Sequence, residues 1–299
     1  MKTKKISVGS SELVCQIFGE GPVNLVVEMG LGAVMAEWQQ LARRLSGRYT
    51  VLLYQRAGYG GSSVSTLART PENIAGELYT LLQQTGHAEK ITLLAHSQGG
   101  LYAWEFTRMY PELVKKLVLL DPLSPEDHRF QLELTGEEFR KSGADKTGGI
   151  RMNLRLTRLH LGWLVRKIMR TAPPFYYYDG FSRKETGEIL SAVSKPQTYR
   201  TALEEYEEAH DLDQLSGYLD RETFPQIPVV LITHNSEIAC WEIQEFGGAT
   251  KVQAEKIETL WQKLMQSYLT CASNGTLVQA KCSSHYIHLT EPELVCAQL

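Results

Sequence analysis

Ala95-His96-Ser97-Gln98-Gly99-Gly100 is the stretch on which the fold turns. Before it, Ile91 to His96 is a short apolar run of strand character; after it, Gly99 to Tyr110 has helical spacing and stops before Pro111. A serine therefore sits where a strand ends and a helix begins. A small residue, Ala95, lies two positions before it and Gly99 lies two positions after. A serine in so sharp a turn brings both of those residues against neighbouring backbone, so both must be small. The turn lifts Ser97 Oγ above the carboxyl end of a sheet. It also puts the Gln98 N–H at a helix N-terminus, where a developing oxyanion is stabilised. The plainer alternative is a βα-turn serine with glycine kept for packing, and the complete strand, turn and helix context favours the nucleophile.

Outward from that turn, strand-like and helix-like runs alternate. Leu13 to Phe18, Asn24 to Glu28, Tyr49 to Gln55, Ile91 to His96 and Lys116 to Asp121 read as strands. Ala36 to Leu45 and Glu72 to Thr85 read as helices, the second opened by Pro71 and closed by Gly86. The alternation predicts a mostly parallel sheet covered by helices on both faces. From Leu123 to Phe224 the strand signal gives way to charged, helix-permissive sequence. It resumes with a strand at Pro228 to Thr233, a long helix at Thr250 to Ala272 and a strand at Thr276 to Ala280. The expected division is a core of residues 1–122 and 225–299, split by a helical insertion of residues 123–224. The helix opening at Pro292 has seven residues to run and is expected to be short or cut off.

The 299 residues are 43% apolar and 22% charged, with 31 basic against 34 acidic side chains and a net charge of −3. Such a balance lacks the basic excess of a nucleic-acid binder and the bias of a disordered chain. No apolar run is long enough to span a bilayer, and the segment after Met1-Lys2-Thr3-Lys4-Lys5 is no signal-peptide core. Five widely spaced cysteines (15, 240, 271, 282 and 296) fit reduced thiols, so a cytoplasmic address is expected.

Three further segments fall in a telling order: Glu28-Met29-Gly30-Leu31-Gly32, then Gln55-Arg56-Ala57-Gly58-Tyr59-Gly60-Gly61-Ser62, and finally Ser283-Ser284-His285 followed by Glu291-Pro292-Glu293. With the Ser97 elbow, the chain from about Leu13 to Leu294 resembles the serine-nucleophile, capped branch of the α/β-hydrolase superfamily. The resemblance implies an eight-stranded, mostly parallel sheet with helices on both faces and an inserted helical cap. It implies that Leu31 supplies a second oxyanion N–H beside Gln98, and that His285 is the base serving Ser97. Gly30, Gly32 and His96 are assigned to the substrate-binding surface, His96 having the alternative of a structural hydrogen bond. For the acid that orients the base, two positions compete. Asp121 ends a strand and resembles the acid of some haloalkane dehalogenases, while Glu237 follows the next strand, the commoner place. Asp121 is preferred because Pro122 fixes its exit, and Glu237 stays open as the alternative.

Two other chemistries are weighed against this. Gly30-x-Gly32 after a strand could open a dinucleotide site, but Met35 stands at the third glycine and Gln55 where an acidic ribose ligand belongs. His285 and His288 could suggest a metal, yet no Glu or Cys accompanies them. His288 is expected to pack or cap locally.

The order Ser97, then Asp121 or Glu237, then His285 is that of the superfamily. It implies acyl transfer to water on a small-molecule substrate, lipophilic in one version, with no metal or organic cofactor. Carboxylesterase or lipase-like activity comes first, with aminopeptidase, acyltransferase, thioesterase and C–C hydrolase as variants. A ligand-binding or regulatory homologue that turns nothing over is the rival from another class.

The insertion holds one unusual stretch. Arg151, Arg155, Arg158, Arg166 and Arg170 fall at helical spacing with Gly162 in the same stripe. With Lys167 there are six basic residues and no acidic one, which leaves 25 of the 31 basic residues to face 34 acidic ones elsewhere, a net of −9. A basic amphipathic helix suits an anionic membrane surface. A solvated cap face neutralised by Glu204 to Glu208 is preferred. The run Pro173-Pro174-Phe175-Tyr176-Tyr177-Tyr178 offers aromatic surface to a pocket or to the packing beneath it. Oligomeric state has no signal in the sequence.

Overall fold

Eight short runs, those in the middle of the sheet rich in Val, Leu and Ile, become strands: β1 (Lys2–Val8), β2 (Ser11–Phe18), β3 (Val23–Glu28), β4 (Val51–Tyr54), β5 (His87–His96), β6 (Val114–Leu120), β7 (Pro228–Thr233) and β8 (Asn274–Gln279). The computed structural model describes residues 2–213, 215, 217–220, 224–272 and 274–299. The strands form one sheet in the order β1-β2-β4-β3-β5-β6-β7-β8. β2 pairs antiparallel with β1 and β4, and every other pairing is parallel.

Side chains alternate across a strand, so neighbouring residues enter different cores. Leu93 and Ala95 of β5, Leu117 and Leu119 of β6, and Val229 and Leu231 of β7 pack into one. Leu94, Val118, Leu120, Val230 and Ile232 pack into the other. The helices covering these faces come before, within and after the later strands. Before β6 lie α1 (Gln39–Leu45), α2 (Pro71–Thr85) and α3 (Gln98–Met109). Between β6 and β7 lie α4 (Arg129–Glu133), α5 (Gly136–Ser142), α6 (Thr147–Arg158), α7 (Gly162–Met169), α8 (Arg183–Ala192) and α9 (Pro196–Glu208). Then follow α10 (Ser236–Glu245), α11 (Lys251–Cys271), α12 (Ile287–Thr290) and α13 (Pro292–Ala297). Leu78, Leu82, Trp104 and Tyr268 from α2, α3 and α11 fill the first core, and Leu41 and Val295 from α1 and α13 the second.

Local chemistry accounts for the boundaries. The Thr70 hydroxyl accepts the Asn73 N–H ahead of Pro71, and Gly86 follows the end of α2. Thr250 and Gln253 form a capping box at α11. Several elements differ from expectation: β5 starts at His87 and not Ile91, and α1 at Gln39 and not Ala36. β1 is a Lys-bearing edge strand whose charges conceal its alternation. The fourth strand is shorter than Tyr49 to Gln55. α10 has only Ala239 buried, and its apolar residues, Ile238 to Trp241 and Ile243, run round the helix with no single face to read; Asn235 starts it by accepting the Glu237 and Ile238 amides.

Arg151 to Arg170 is not one helix. α6 ends near Arg158, His160 takes a left-handed backbone at φ 59°, and α7 restarts at Gly162. Nor does Gly162 belong to the exposed stripe. A Cβ there would come within 2.6 Å of the Ser194 carbonyl oxygen, so the glycine lets α7 close on the end of α8. No helix among the described residues is long and apolar enough to cross a membrane.

Candidate active site

Ser97 sits between β5 and α3 with φ 54° and ψ −131°, a backbone that non-glycine residues rarely adopt. Its N–H donates to the Leu120 carbonyl at 3.0 Å and its carbonyl accepts from Leu123 N at 2.9 Å, which ties the turn to the end of β6. A Cβ on Gly99 would meet the carbonyl oxygens of Glu28 and Met29 at 2.5 Å. Glycine two residues after the serine is therefore required by the backbone of β3, as the sequence suggested. Gln98 is the first residue of α3, so its N–H is one the helix cannot use internally.

Asp121 follows β6 on the adjacent strand, again with positive φ (46°), and its N–H donates to Ile232 O of β7 at 2.8 Å. His285 Nδ1 lies 2.7 Å from Asp121 Oδ2. With Nδ1–H donating to the carboxylate, Nε2 is the ring nitrogen with a free lone pair. The loop carrying His285 is held from several sides. Asn235 N donates to Ser283 O at 2.9 Å, and the Glu291 carboxylate accepts from Lys281 N, Cys282 N and Ser283 Oγ. Glu237, the competing acid, lies exposed in the first turn of α10, its amide spent on the Asn235 cap. The helix start that the sequence did not reveal turns it away from His285, and Asp121 takes the contact.

The structure adds two residues that pattern reading missed. His234, one residue past β7, donates its backbone N–H to Asp121 Oδ1 at 2.9 Å, and its Nδ1 lies 3.0 Å from Oδ2. Its Nε2 lies 3.0 Å from Glu258 Oε2 of α11, and the Trp261 ring packs on it at 4.1 Å. Burial opposes the His234 cation, but the carboxylates of Asp121 and Glu258 outweigh it and push its pKa up to about 10. Burial would also raise the Asp121 pKa; the His234 charge, with hydrogen bonds from both histidines, instead holds it well below the carboxylate range. The carboxylate thus stays ionised in a site where it is 4% exposed. No sequence spacing joins residues 121, 234 and 258, so only the fold could reveal them.

His96 is buried beside this cluster. Its Nε2 lies 2.9 Å from the His285 carbonyl oxygen, so Nε2–H holds the base's loop. Burial first, and the neighbouring His285 second, lower its pKa to about 3, which keeps it neutral. That is the structural hydrogen bond foreseen as its alternative role. His288 stacks on Trp38 with ring centroids 3.8 Å apart and is driven neutral by burial. No group of three potential metal ligands exists among the described residues.

Across from Ser97 runs the loop Gly30-Leu31-Gly32. A side chain at Gly30 would abut Ser97 Cβ at 3.1 Å and His96 Nδ1 at 3.2 Å, so the loop passes directly over the serine. Arg56, from the Gln55 to Ser62 turn, donates to the Met29 carbonyl and, at 3.0 Å, to the Gly30 carbonyl. The Gly30 C=O and the Leu31 N–H belong to one trans peptide and point opposite ways. Fixing the first on Arg56 therefore aims the second away from the guanidinium. Arg56 is itself clamped by Glu28 at 2.7 Å and by Glu205 of α9 at 2.8 and 3.0 Å, all three side chains buried. Tyr59 also donates to Glu205, at 3.0 Å, and the Gln98 side chain donates to the Glu205 carbonyl at 2.9 Å.

Above the turn lies a cavity of about 870 Å³, lined by Ser97, His285, Leu31 and Gly32 below and by residues of α4 to α9 above. Phe130, Met169, Ile189 and Tyr199 give the upper part an apolar wall, and Tyr177 of the aromatic run reaches it.

A sequence model of the α/β hydrolase fold family matches residues 23–239. An AB hydrolase superfamily protein of Gibberella zeae is 22% identical over 291 residues, 92% of this chain and 84% of its own length. A (lyso)-N-acylphosphatidylethanolamine lipase of Mus musculus is 35% identical over 101 residues, 33% of this chain and 30% of its own. Against the Caenorhabditis elegans abhydrolase domain-containing protein abhd-5.2 the match is 31% over 119 residues, 38% of this chain and 27% of that protein, so these two relatives are matched over less than a third of their length. Among solved structures, ALR0039 of Nostoc sp. PCC 7120, described as an α/β hydrolase, superposes with a TM-score of 0.76 at 18% identity, covering 99% of this chain and 96% of that one. A Pseudomonas aeruginosa protein described as an epoxide hydrolase gives 0.73 at 17% identity, with 99% and 93% covered. With its sheet order, its strand-end serine turn and a family match over most of its length, the chain belongs to the α/β-hydrolase fold family.

Proposed function

We propose that the protein is a serine hydrolase that cleaves a small-molecule ester, with thioester and amide as chemical variants, through an acyl-enzyme on Ser97. The observation that carries this is the 2.7 Å contact between His285 Nδ1 and Asp121 Oδ2, made beside the strand whose left-handed turn presents Ser97. Ser97 Oγ attacks the acyl carbon while His285 Nε2 takes its proton, and the N–H groups of Leu31 and Gln98 hold the oxyanion. The imidazolium, stabilised by Asp121, then protonates the leaving alcohol as its C–O bond breaks. Water, deprotonated by His285, attacks the acyl-enzyme and releases acid and free Ser97. The scheme calls on no metal or organic cofactor.

Residues 123–224 act in this reading as a cap over a core of 1–122 and 225–299. The apolar upper wall of the cavity supports a lipophilic acyl group, as does the partial likeness to a protein named as a (lyso)-N-acylphosphatidylethanolamine lipase. Similarity to proteins described as epoxide hydrolases carries the fold, but in this superfamily epoxide opening is done by an aspartate nucleophile, and the elbow here holds Ser97. The five cysteines, widely spaced along the chain with no Cys-x-x-Cys pair, support a cytoplasmic address.

The test is a series of p-nitrophenyl esters of rising chain length with a fluorophosphonate label. The wild type should turn over and be labelled on one serine, and Ser97→Ala should lose labelling and on the order of 10⁶ in kcat. A wild-type protein that binds acyl ligands yet neither labels nor turns over is the non-hydrolytic homologue, and the proposal fails.

A further inference from the structure

All six basic residues of Arg151 to Arg170 are exposed on α6, α7 and the segments beside them. The inner sides of the two helices bury Leu154 and Val165 against Tyr199. On the outer side Met152, Leu159, Trp163 and Ile168 are 54, 68, 64 and 48% exposed. Large apolar side chains therefore alternate with cations over a short stretch of surface.

The expected neutralisation by Glu204 to Glu208 is mostly not made. Arg151 pairs with Glu207 at 3.0 Å, but Glu205 is turned inward to Arg56. Arg155, Arg158, Arg166, Lys167 and Arg170 have no ion pair among the described residues. A solvated face has no need of an exposed tryptophan, leucine, isoleucine and methionine together. A long polyanion such as a nucleic acid would meet the cations but would also be repelled by a remainder of net −9, and it gives no place to the apolar side chains. The headgroup boundary of an anionic bilayer accommodates both, cations at the phosphates and apolar groups just beneath. The same two helices present Ile150, Asn153 and Met169 to the cavity above Ser97, so this face is the outer surface of the cavity's roof.

We propose that α6 and α7 dock the protein on an anionic membrane surface, with Trp163 and Leu159 entering the headgroup boundary. The docking is independent of the hydrolytic chemistry.

The full chain is sedimented with vesicles of phosphatidylcholine alone or mixed with phosphatidylglycerol. Binding should appear with the mixed vesicles at low salt and weaken as salt rises. Arg158→Glu combined with Arg166→Glu should weaken it by more than about 25-fold, at about fivefold for each cation lost. Trp163→Ser should weaken it further, whereas Trp163→Phe should retain it. These side chains are exposed and the two arginines make no ion pair among the described residues, so thermal midpoints should stay at the wild-type value, marking each loss as one of surface and not of fold. Absence of wild-type binding at low salt, equal binding by the charge-reversed variant, or binding to duplex DNA or an acidic polypeptide in preference to the vesicles overturns the proposal.

Discussion

At the floor of the cavity, Ser97 and Asp121 are placed by main-chain hydrogen bonds between neighbouring strand ends, Ser97 N to Leu120 O and Asp121 N to Ile232 O, and the loop of His285 by its own main chain on Asn235, His96 and Glu291. At its roof, α9 is fixed to the core by side-chain charges, Glu205 on Arg56, with every partner out of water. A floor built from backbone tolerates change in most of its side chains and depends on a few. A roof held by buried charge depends on each member, because removing one leaves the other ionised without solvent. The difference ranks the substitutions that follow.

The largest effect is expected at the floor. Asp121→Asn keeps the shape but offers His285 the wrong hydrogen-bonding group, and kcat should fall about 10⁴-fold with KM little changed. Glu237→Gln, exposed on α10, should leave kcat within about twofold. Steady-state kinetics on one ester decide between them, and the opposite pattern would return the role of acid to Glu237.

How much of this was legible follows the same division. The Ser97 turn and the place of Gln98 were readable from a few adjacent residues, a small residue before the serine and a glycine after it, whereas Leu31 and His285 were reached only through the likeness of their segments to a family's. Asp121 had only a preference over Glu237 in the sequence, since the outcome depended on Asn235 starting a helix whose apolar residues, Ile238 to Trp241 and Ile243, run round it and form no single face. His234, Glu258 and Glu205 were invisible for a further reason. Each acts on a partner more than 20 positions away, and only tertiary packing brings such charges together. In the insertion the basic stripe was legible but not its neutralisation, which turned on the direction that each acid of α9 faces.

At the junction of roof and floor, Arg56→Met strands the buried carboxylate of Glu28 and leaves Glu205 only the more distant Arg69, at 3.6 Å, as a charged partner. It should cost about 3–5 kcal/mol in urea unfolding. It also frees the Gly30 carbonyl, so kcat should fall while KM holds, if Leu31 N–H is an oxyanion donor. Glu205→Gln, which keeps a hydrogen-bond acceptor for Arg56, should lose stability while keeping more of kcat. A variant equal to wild type in both would detach the roof from the oxyanion loop.

His234 gives a smaller effect with a pH signature. Its folded pKa of about 10 lies above the ordinary histidine value, so the stabilisation it brings is complete below about pH 6.5 and is lost as pH rises through 10. His234→Gln removes charge-assisted hydrogen bonds to Asp121 and Glu258 and should cost roughly 1.5–3 kcal/mol at pH 7. Above pH 10 the gap between variant and wild type should close. Urea unfolding at both pH values measures it, and a gap that persists would mean the histidine is neutral throughout.

The smallest effect isolates burial from pairing. Glu205 and Glu207 stand two residues apart on α9 and each meets an arginine, but the first is fully buried and the second has a side chain 53% exposed, with its partner Arg151 at 55%. Water already solvates both ends of the outer pair, and salt screens what attraction remains. Arg151→Ala should therefore change stability by no more than about 1 kcal/mol, and by less as salt is raised. A double-mutant cycle of Arg151→Ala with Glu207→Ala, run beside one of Arg56 with Glu205, separates the two cases on a single helix. If the outer pair couples as strongly as the inner one, burial is not what makes the roof depend on Glu205.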